Sequence, residues 1–263
     1  MEPVAGVGLA RTADAAGQEG AKLIARVLGP SADVLGQALA GWTQTRVDNV
    51  RNIAKRADRK AEGRGGAVNL RVAQKILDDG SYVDDEVMAE YYAGILAASK
   101  TPTGDDDMGQ PWVAQLGTMS SIQVRLHYLM YRALAIRLHG SAHDLSQQAG
   151  RNSAILLADL IDVITALGYS GGDVSAFIWH AVAGLRRLDL IGDIFSWGPP
   201  EGADVPWKSV LTVAPSSSGM DLYGWAVGAG PTSPEAFKTL GARGTDIPGL
   251  PSLSRYTVVG ARS

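Results

Sequence analysis

Residues 76–98, ILDDGSYVDDEVMAEYYAGILAA, constrain the fold more than any other stretch, because an acidic turn runs directly into a segment of helical periodicity. Asp84 is placed to accept hydrogen bonds from the free amides of a first helical turn, while Asp85 and Glu86 favour the positive end of the helix dipole. Val87, Met88, Tyr91, Tyr92, Ile95 and Leu96 then fall on one broad apolar face. That face is expected to anchor a helical core.

Glycine and proline punctuate the rest of the first half into further helices. Residues 1–17 lack a clean period and read as a frayed N-terminal arm, followed by a short helix over Glu19–Leu28 that Gly29-Pro30 stops. Ser31 can cap a second start, and the chain reads as helix to Glu62, ended by Gly63, Gly65 and Gly66. Thr43, Val47, Val50, Ala54, Ala57 and Ala61 recur there at spacings of four and three, a seam of mostly small residues that permits close helix approach. Leu70–Leu77 is a further short helix, and Lys100–Gln110 a polar loop containing Asp105–Asp107. A helical piece begins at Pro111. Ser120 with Gln123 three residues later forms a capping-box pattern before Ile122, Leu126, Leu129, Met130, Ala133 and Leu134. Ile155, Leu156, Leu160, Ile161, Ile164 and Leu167 read as one more helix, closed by Gly168.

After residue 168 the texture changes. Asp173–Leu190 reads as helix, followed by a loop of Gly, Pro and Trp and by the β-like runs Val210–Val213 and Tyr256–Val259. Met220–Gly228 fits strand or helix equally, and residues 229–252 read as loop with one short helix near Pro234–Leu240. The expected architecture is therefore mainly α: an arm (1–17), a multi-helix domain (18–168), and a small winged-helix-like α+β region with a loop-rich tail (169–263).

Composition removes several function classes. With no cysteine there are no disulfides, thiolate metal sites or cysteine nucleophiles, and a net charge of −3 gives no whole-molecule attraction to nucleic acid. No secretory leader is recognisable, and the richest apolar run, AILLADLIDVITALG, is broken by Asp159 and Asp162, so the chain reads as cytoplasmic and without a membrane span. His139 and His143 have metal-ligand spacing, but Gly140 breaks the helix that would align them. His180 beside Trp179 in an apolar helix reads as a hydrogen-bonded core or boundary histidine rather than a catalytic base. The carboxylates Asp78, Asp79, Asp84, Asp85, Glu86 and Glu90 do not match a calcium loop. Neither phosphate-loop spacing nor a nucleophile elbow occurs, so no cofactor and no enzymatic activity are expected.

The segment from Arg46 to Arg64 holds seven basic residues against three acidic ones, a local balance of +4. On a helix Arg51, Lys55 and Arg59 form one stripe, and Arg56 and Lys60 extend the same side, a surface suited to phosphates. Arg186 and Arg187 add to that reading. The competing reading is a solvated helix face that pairs with the acidic segment following it.

Leu28-Gly29-Pro30-Ser31-Ala32 before a basic helix, Val68–Leu77, the acidic turn and Tyr91-Tyr92-Ala93-Gly94-Ile95-Leu96-Ala97 together resemble the Abi-alpha family of bacterial abortive-infection proteins. The resemblance continues through Trp112–Leu134 and resumes at Gly184–Ile191 and Leu211-Thr212, spanning roughly residues 20–230 of a distant member. Tyr91 and Tyr92 stand where the family more often has Leu-Trp, and the tail after Pro231 is peculiar to this chain. The resemblance implies phage defence by binding, through a protein partner, self-association or nucleic acid, and supplies no catalytic residues. A winged-helix nucleic-acid regulator and a scaffold component assembling through the small-residue seam are the alternatives.

Overall fold

The computed structural model describes residues 44–61, 63–200, 202, 204–241, 243, 247 and 252–259. The arm, the Glu19–Leu28 helix, the Ser31 start and Thr43 lie outside the described residues. Ten helices and six short strands are present among those described. Helices predominate, with a small antiparallel sheet.

The basic segment forms helix α1, Gln44–Ala61. Its small-residue seam is buried at Val50, Ala54, Ala57 and Ala61, joined by Ile53, and packs on helix α3 (Glu86–Ala98). Between them, strand β1 (Ala67–Val68) leads into helix α2 (Leu70–Gly80). The helix α3 start differs from expectation by one residue: Asp85 is the N-cap, its Oδ1 accepting from Val87 and Met88 amides at 2.9 Å each. Its Oδ2 accepts from Arg125, at 2.8 Å from Nε, so one carboxylate both caps α3 and ties it to the next long helix. Strand β2 (Lys100–Thr101) occupies the start of the expected loop and pairs with β1, Ala67 opposite Thr101.

Helix α4 (Gln110–Leu116) precedes α5 (Ser121–Leu138), whose Ser120–Gln123 capping box is complete in both directions. Helix α5 is the hub, packing on α3 and on the later helices α8 (Val174–Arg187) and α9 (Ser217–Ala226). The ambiguous Met220–Gly228 segment is thus largely helical. Gly94 shows how closely these helices meet, since a β-carbon there would lie 1.9 Å from the Ala226 carbonyl oxygen at the end of α9. Gly94→Ala gains about 1 kcal/mol of helix propensity but overpacks a backbone contact, typically costing about 1–3 kcal/mol. The net expectation is destabilisation, read as a lower denaturation midpoint; a midpoint above wild type would show that α9 can move aside.

The segment after α5 departs most from expectation. Following helix α6 (Gln148–Ser153), residues Leu156–Asp159 form strand β3, and only Leu160–Ala166 form helix, α7. All four β3 residues are buried, and a short run buried on both faces has the same apolar texture as a buried helix. Asp159 ends the strand and caps α7, accepting from the Ile161 amide at 2.9 Å. Strand β4 (Phe195–Gly198) lies within the expected Gly, Pro and Trp loop; β5 is Val210–Val213, α10 is Pro234–Phe237 and β6 is Tyr256–Val258.

The sheet order is β4-β5-β3-β6, all antiparallel, with Leu156 opposite both Val213 and Val258, and Phe195 opposite Val213. Alternation sends Phe195, Trp197, Leu211, Val213, Leu156, Ala158, Tyr256 and Val258 towards the helical core and Ser196, Thr212, Leu157 and Thr257 to the other face. Because β3 precedes residue 168, the sheet draws on both sides of that position. No helix among the described residues is long and apolar enough to cross a membrane.

Candidate interaction surface

The basic and acidic segments meet at the α1–α3 contact. Arg56 is buried and bridges Glu86 and Glu90, and Lys60 reaches the other Glu90 oxygen at 2.9 Å. Burial alone would raise the Glu90 carboxyl, but Lys60 and Arg56 outweigh it and hold the group below the usual carboxylate range. Arg56 and Lys60, which spacing alone places on an outward stripe, therefore turn towards α3. Lys55 and Arg59 are exposed, while Arg51 pairs with Asp48. Arg186 pairs with Asp193, and Arg187 is exposed. Of these candidate cations, Arg56 and Lys60 are thus committed to carboxylates of α3.

Between α3, α5 and α9 lies a buried aromatic cluster around His127. The Gly219 carbonyl, 3.1 Å from Nε2, can only accept, so Nε2 carries the proton and Nδ1 accepts from the Tyr91 hydroxyl at 2.6 Å. Tyr131 stacks on the imidazole at a centroid distance of 4.4 Å; its hydroxyl donates to the Leu190 carbonyl and accepts from the Ser216 amide. Burial pushes His127 down to about 3 and the Tyr131 hydroxyl up to about 12. Every member is sealed from solvent, so the cluster holds three helices together.

The remaining histidines are dispersed. His139 bonds the Lys238 carbonyl at 3.0 Å, His143 bonds Ser153 at 3.0 Å and His180 bonds Ser120 at 3.1 Å. Among the described residues no three His, Asp or Glu side chains are grouped to hold a metal ion. In the acidic turn Asp79 pairs with Lys75, and in the Asp105–Asp107 run Asp106 accepts from the Met108 amide while Asp107 pairs with Arg71.

The surface with the least internal explanation lies on α8 and the β4–β5 hairpin. Trp179 is 57% exposed on α8 and packs against Trp197 of β4 at a centroid distance of 6.0 Å. Across the outer sheet face a groove of about 430 Å³ opens, lined by the apolar Ile155, Leu157, Pro199 and Val259 and by the hydroxyl residues Ser196 and Thr212. From Ala154 to Val213 the chain carries Arg186, Arg187 and Lys208 against Asp159, Asp162, Asp173, Asp189, Asp193, Glu201 and Asp204, a balance of −4. An exposed tryptophan beside an uncharged groove, in a segment without a cationic excess, suits a protein partner better than a phosphate backbone. The tryptophan pair escaped sequence reasoning because β4 did; the alternation of Phe195 and Trp197 with Ser196 and Gly198 is the signal that marks the strand. No family model matches the chain, and neither a curated protein nor a solved structure matches it.

Proposed function

We propose that this chain is a non-enzymatic binding protein, similar to the Abi-alpha proteins and acting in phage defence, whose working surface is a winged-helix-like unit that engages a protein. The chain path supports the winged-helix reading. After helix α5 and the short helix α6 come strand β3, helices α7 and α8, and a β4–β5 hairpin, and the three strands lie in the order β4-β5-β3. In such a unit α8 holds the recognition position. The single observation that carries the choice of partner is its exposed Trp179, backed by Trp197, within a segment of charge balance −4. A helix that reads nucleic acid presents cations there instead.

The test has two arms. Duplex DNA and single-stranded RNA are titrated by fluorescence anisotropy at about 50 and 200 mM salt, where phosphate-driven binding changes steeply. Salt-independent absence of binding is expected. Expression in a bacterial host is expected to cut phage plating, and Trp179→Ala, at an exposed site, should remove that protection while leaving the protein folded. Tight binding at low salt would favour the second reading, a nucleic-acid regulator, to which the exposed Lys55 and Arg59 of α1 lend support.

A further inference from the structure

We infer that β6 is a self-complementing strap. It fills a strand-acceptor edge on β3, opens ahead of the rest of the sheet, and leaves an edge that takes a strand with a basic residue followed by alternating apolar ones. Trp179 and Trp197 lie at the opposite end of the sheet, so the strap stands or falls separately from the protein-binding reading above. Tyr256–Val258 is the last of the described strands and pairs among them with β3 alone, so it peels away without breaking a second pairing. Its inward side chains sit at the rim of the core: Tyr256 is partly exposed beneath the Arg137 guanidinium, 5.2 Å from the ring centroid. Leu253 is buried whereas Ser254 and Arg255 are exposed, which sets the hinge after Leu253. A short terminal element held largely by solvent-facing hydrogen bonds opens at a lower cost than the whole fold.

The occupant displays what the edge selects. Asp162, in the first turn of α7, accepts from the Ser254 amide at 2.6 Å, the Ser254 hydroxyl at 3.0 Å and the Arg255 amide at 3.0 Å. The Arg255 guanidinium meets Asp159 at 2.9 Å, and the Asp159 amide donates to the Arg255 carbonyl at 2.9 Å. The Asp159 side chain is 6% exposed, so a strand without a cation at that position would leave a buried carboxylate unpaired. Beyond the arginine, Tyr256 and Val258 face the core and Thr257 faces away, which calls for apolar, polar and apolar residues in turn. The two aspartates also fix register: a slip of one residue would turn Thr257 into the core and take Arg255 from Asp159.

Amide exchange, followed residue by residue by NMR on the full chain, tests the opening. The Asp159 and Val259 amides bond across the β3–β6 seam, to Arg255 and Ile155, while the Leu160 and Ala214 amides bond on the β5 side, to Ser209 and Ile194. The seam pair is expected to exchange about tenfold faster or more, and Asp162→Ala, which removes the clip, should widen that gap by about another tenfold. Equal exchange at all four amides in both proteins would make the sheet one cooperative unit and overturn the strap. For the acceptor edge, Arg255→Glu loosens the tail and leaves β3 intact. Thr257→Pro, which removes a strand amide, is the second tail variant should Arg255→Glu fail to fold, checked by circular dichroism. A synthetic peptide of residues 252–259 is titrated to about 5 mM, within the range of intramolecular effective concentrations. Chemical shifts over Leu156–Asp159 should move in a tail variant with an apparent affinity about tenfold or more above that of wild type, because the edge is free more of the time. The same peptide carrying Arg255→Glu should not bind. No shift in either tail variant, or equal binding by the two peptides, overturns the acceptor edge.

Discussion

Arg56→Ala is expected to lower the unfolding free energy by about 3 kcal/mol, the range measured when one partner of a buried ion pair is removed. The Arg56 side chain is 8% exposed and Glu90 7%, so solvent cannot replace the lost guanidinium. Lys60 remains on Glu90, which keeps the cost towards the low end, while Glu86, half exposed, recovers water. Adding Glu90→Gln to Arg56→Ala removes the stranded charge and should restore part of the loss, a coupling that a double-mutant cycle in urea reads directly. A single-mutant cost below about 1 kcal/mol would assign the network the value of a surface salt bridge, and α1 would then be held by its small-residue seam alone.

That network also marks where local sequence stops being informative. The i, i+4 spacing of Arg51, Lys55 and Arg59, with Arg56 and Lys60 alongside, correctly implies a helix, and Val50, Ala54, Ala57 and Ala61 mark its buried side. Which cations turn inward is decided by Glu86 and Glu90, some 30 residues away on α3, and no local pattern carries that information. Capping chemistry was legible where donor and acceptor are sequence neighbours, as at Ser120–Gln123. Strand β3 was not, because Leu156–Ala158 owes its conformation to β5 and β6, roughly 55 and 100 residues later, and its apolar run satisfies helix and buried strand alike. The candidate surface inherits both problems. Trp179 was visible as a helix residue, but its partner Trp197 lies on an edge strand whose neighbours Gly198, Pro199 and Pro200 read as loop.

Acid should weaken this protein through a single histidine before its carboxylates titrate. His127 is held neutral in the fold, with its pKa pushed from 6.5 down to about 3 chiefly by burial, because protonation would place an uncompensated charge among Tyr91, Tyr131 and the α9 backbone. Protonated Nδ1 would also lose its role as acceptor for the Tyr91 hydroxyl. The sign follows from linkage: the unfolded chain binds a proton below pH 6.5 and the folded chain does not, so stability is complete above 6.5 and falls as pH drops towards 3. Over the whole interval that gap corresponds to roughly 5 kcal/mol, and about 2 kcal/mol is lost by pH 5. Between pH 7.5 and 5 the Glu90 carboxylate, held below its usual range, stays ionised in the fold and only begins to protonate in the unfolded chain, so it adds little slope. Urea denaturation across that window should therefore show the loss in wild type and a nearly flat profile in His127→Gln, which keeps a donor for Gly219 and an acceptor for Tyr91 but cannot titrate. Equal slopes in the two proteins would mean that the α3–α5–α9 junction opens far enough in acid for the imidazolium to be hydrated without unfolding.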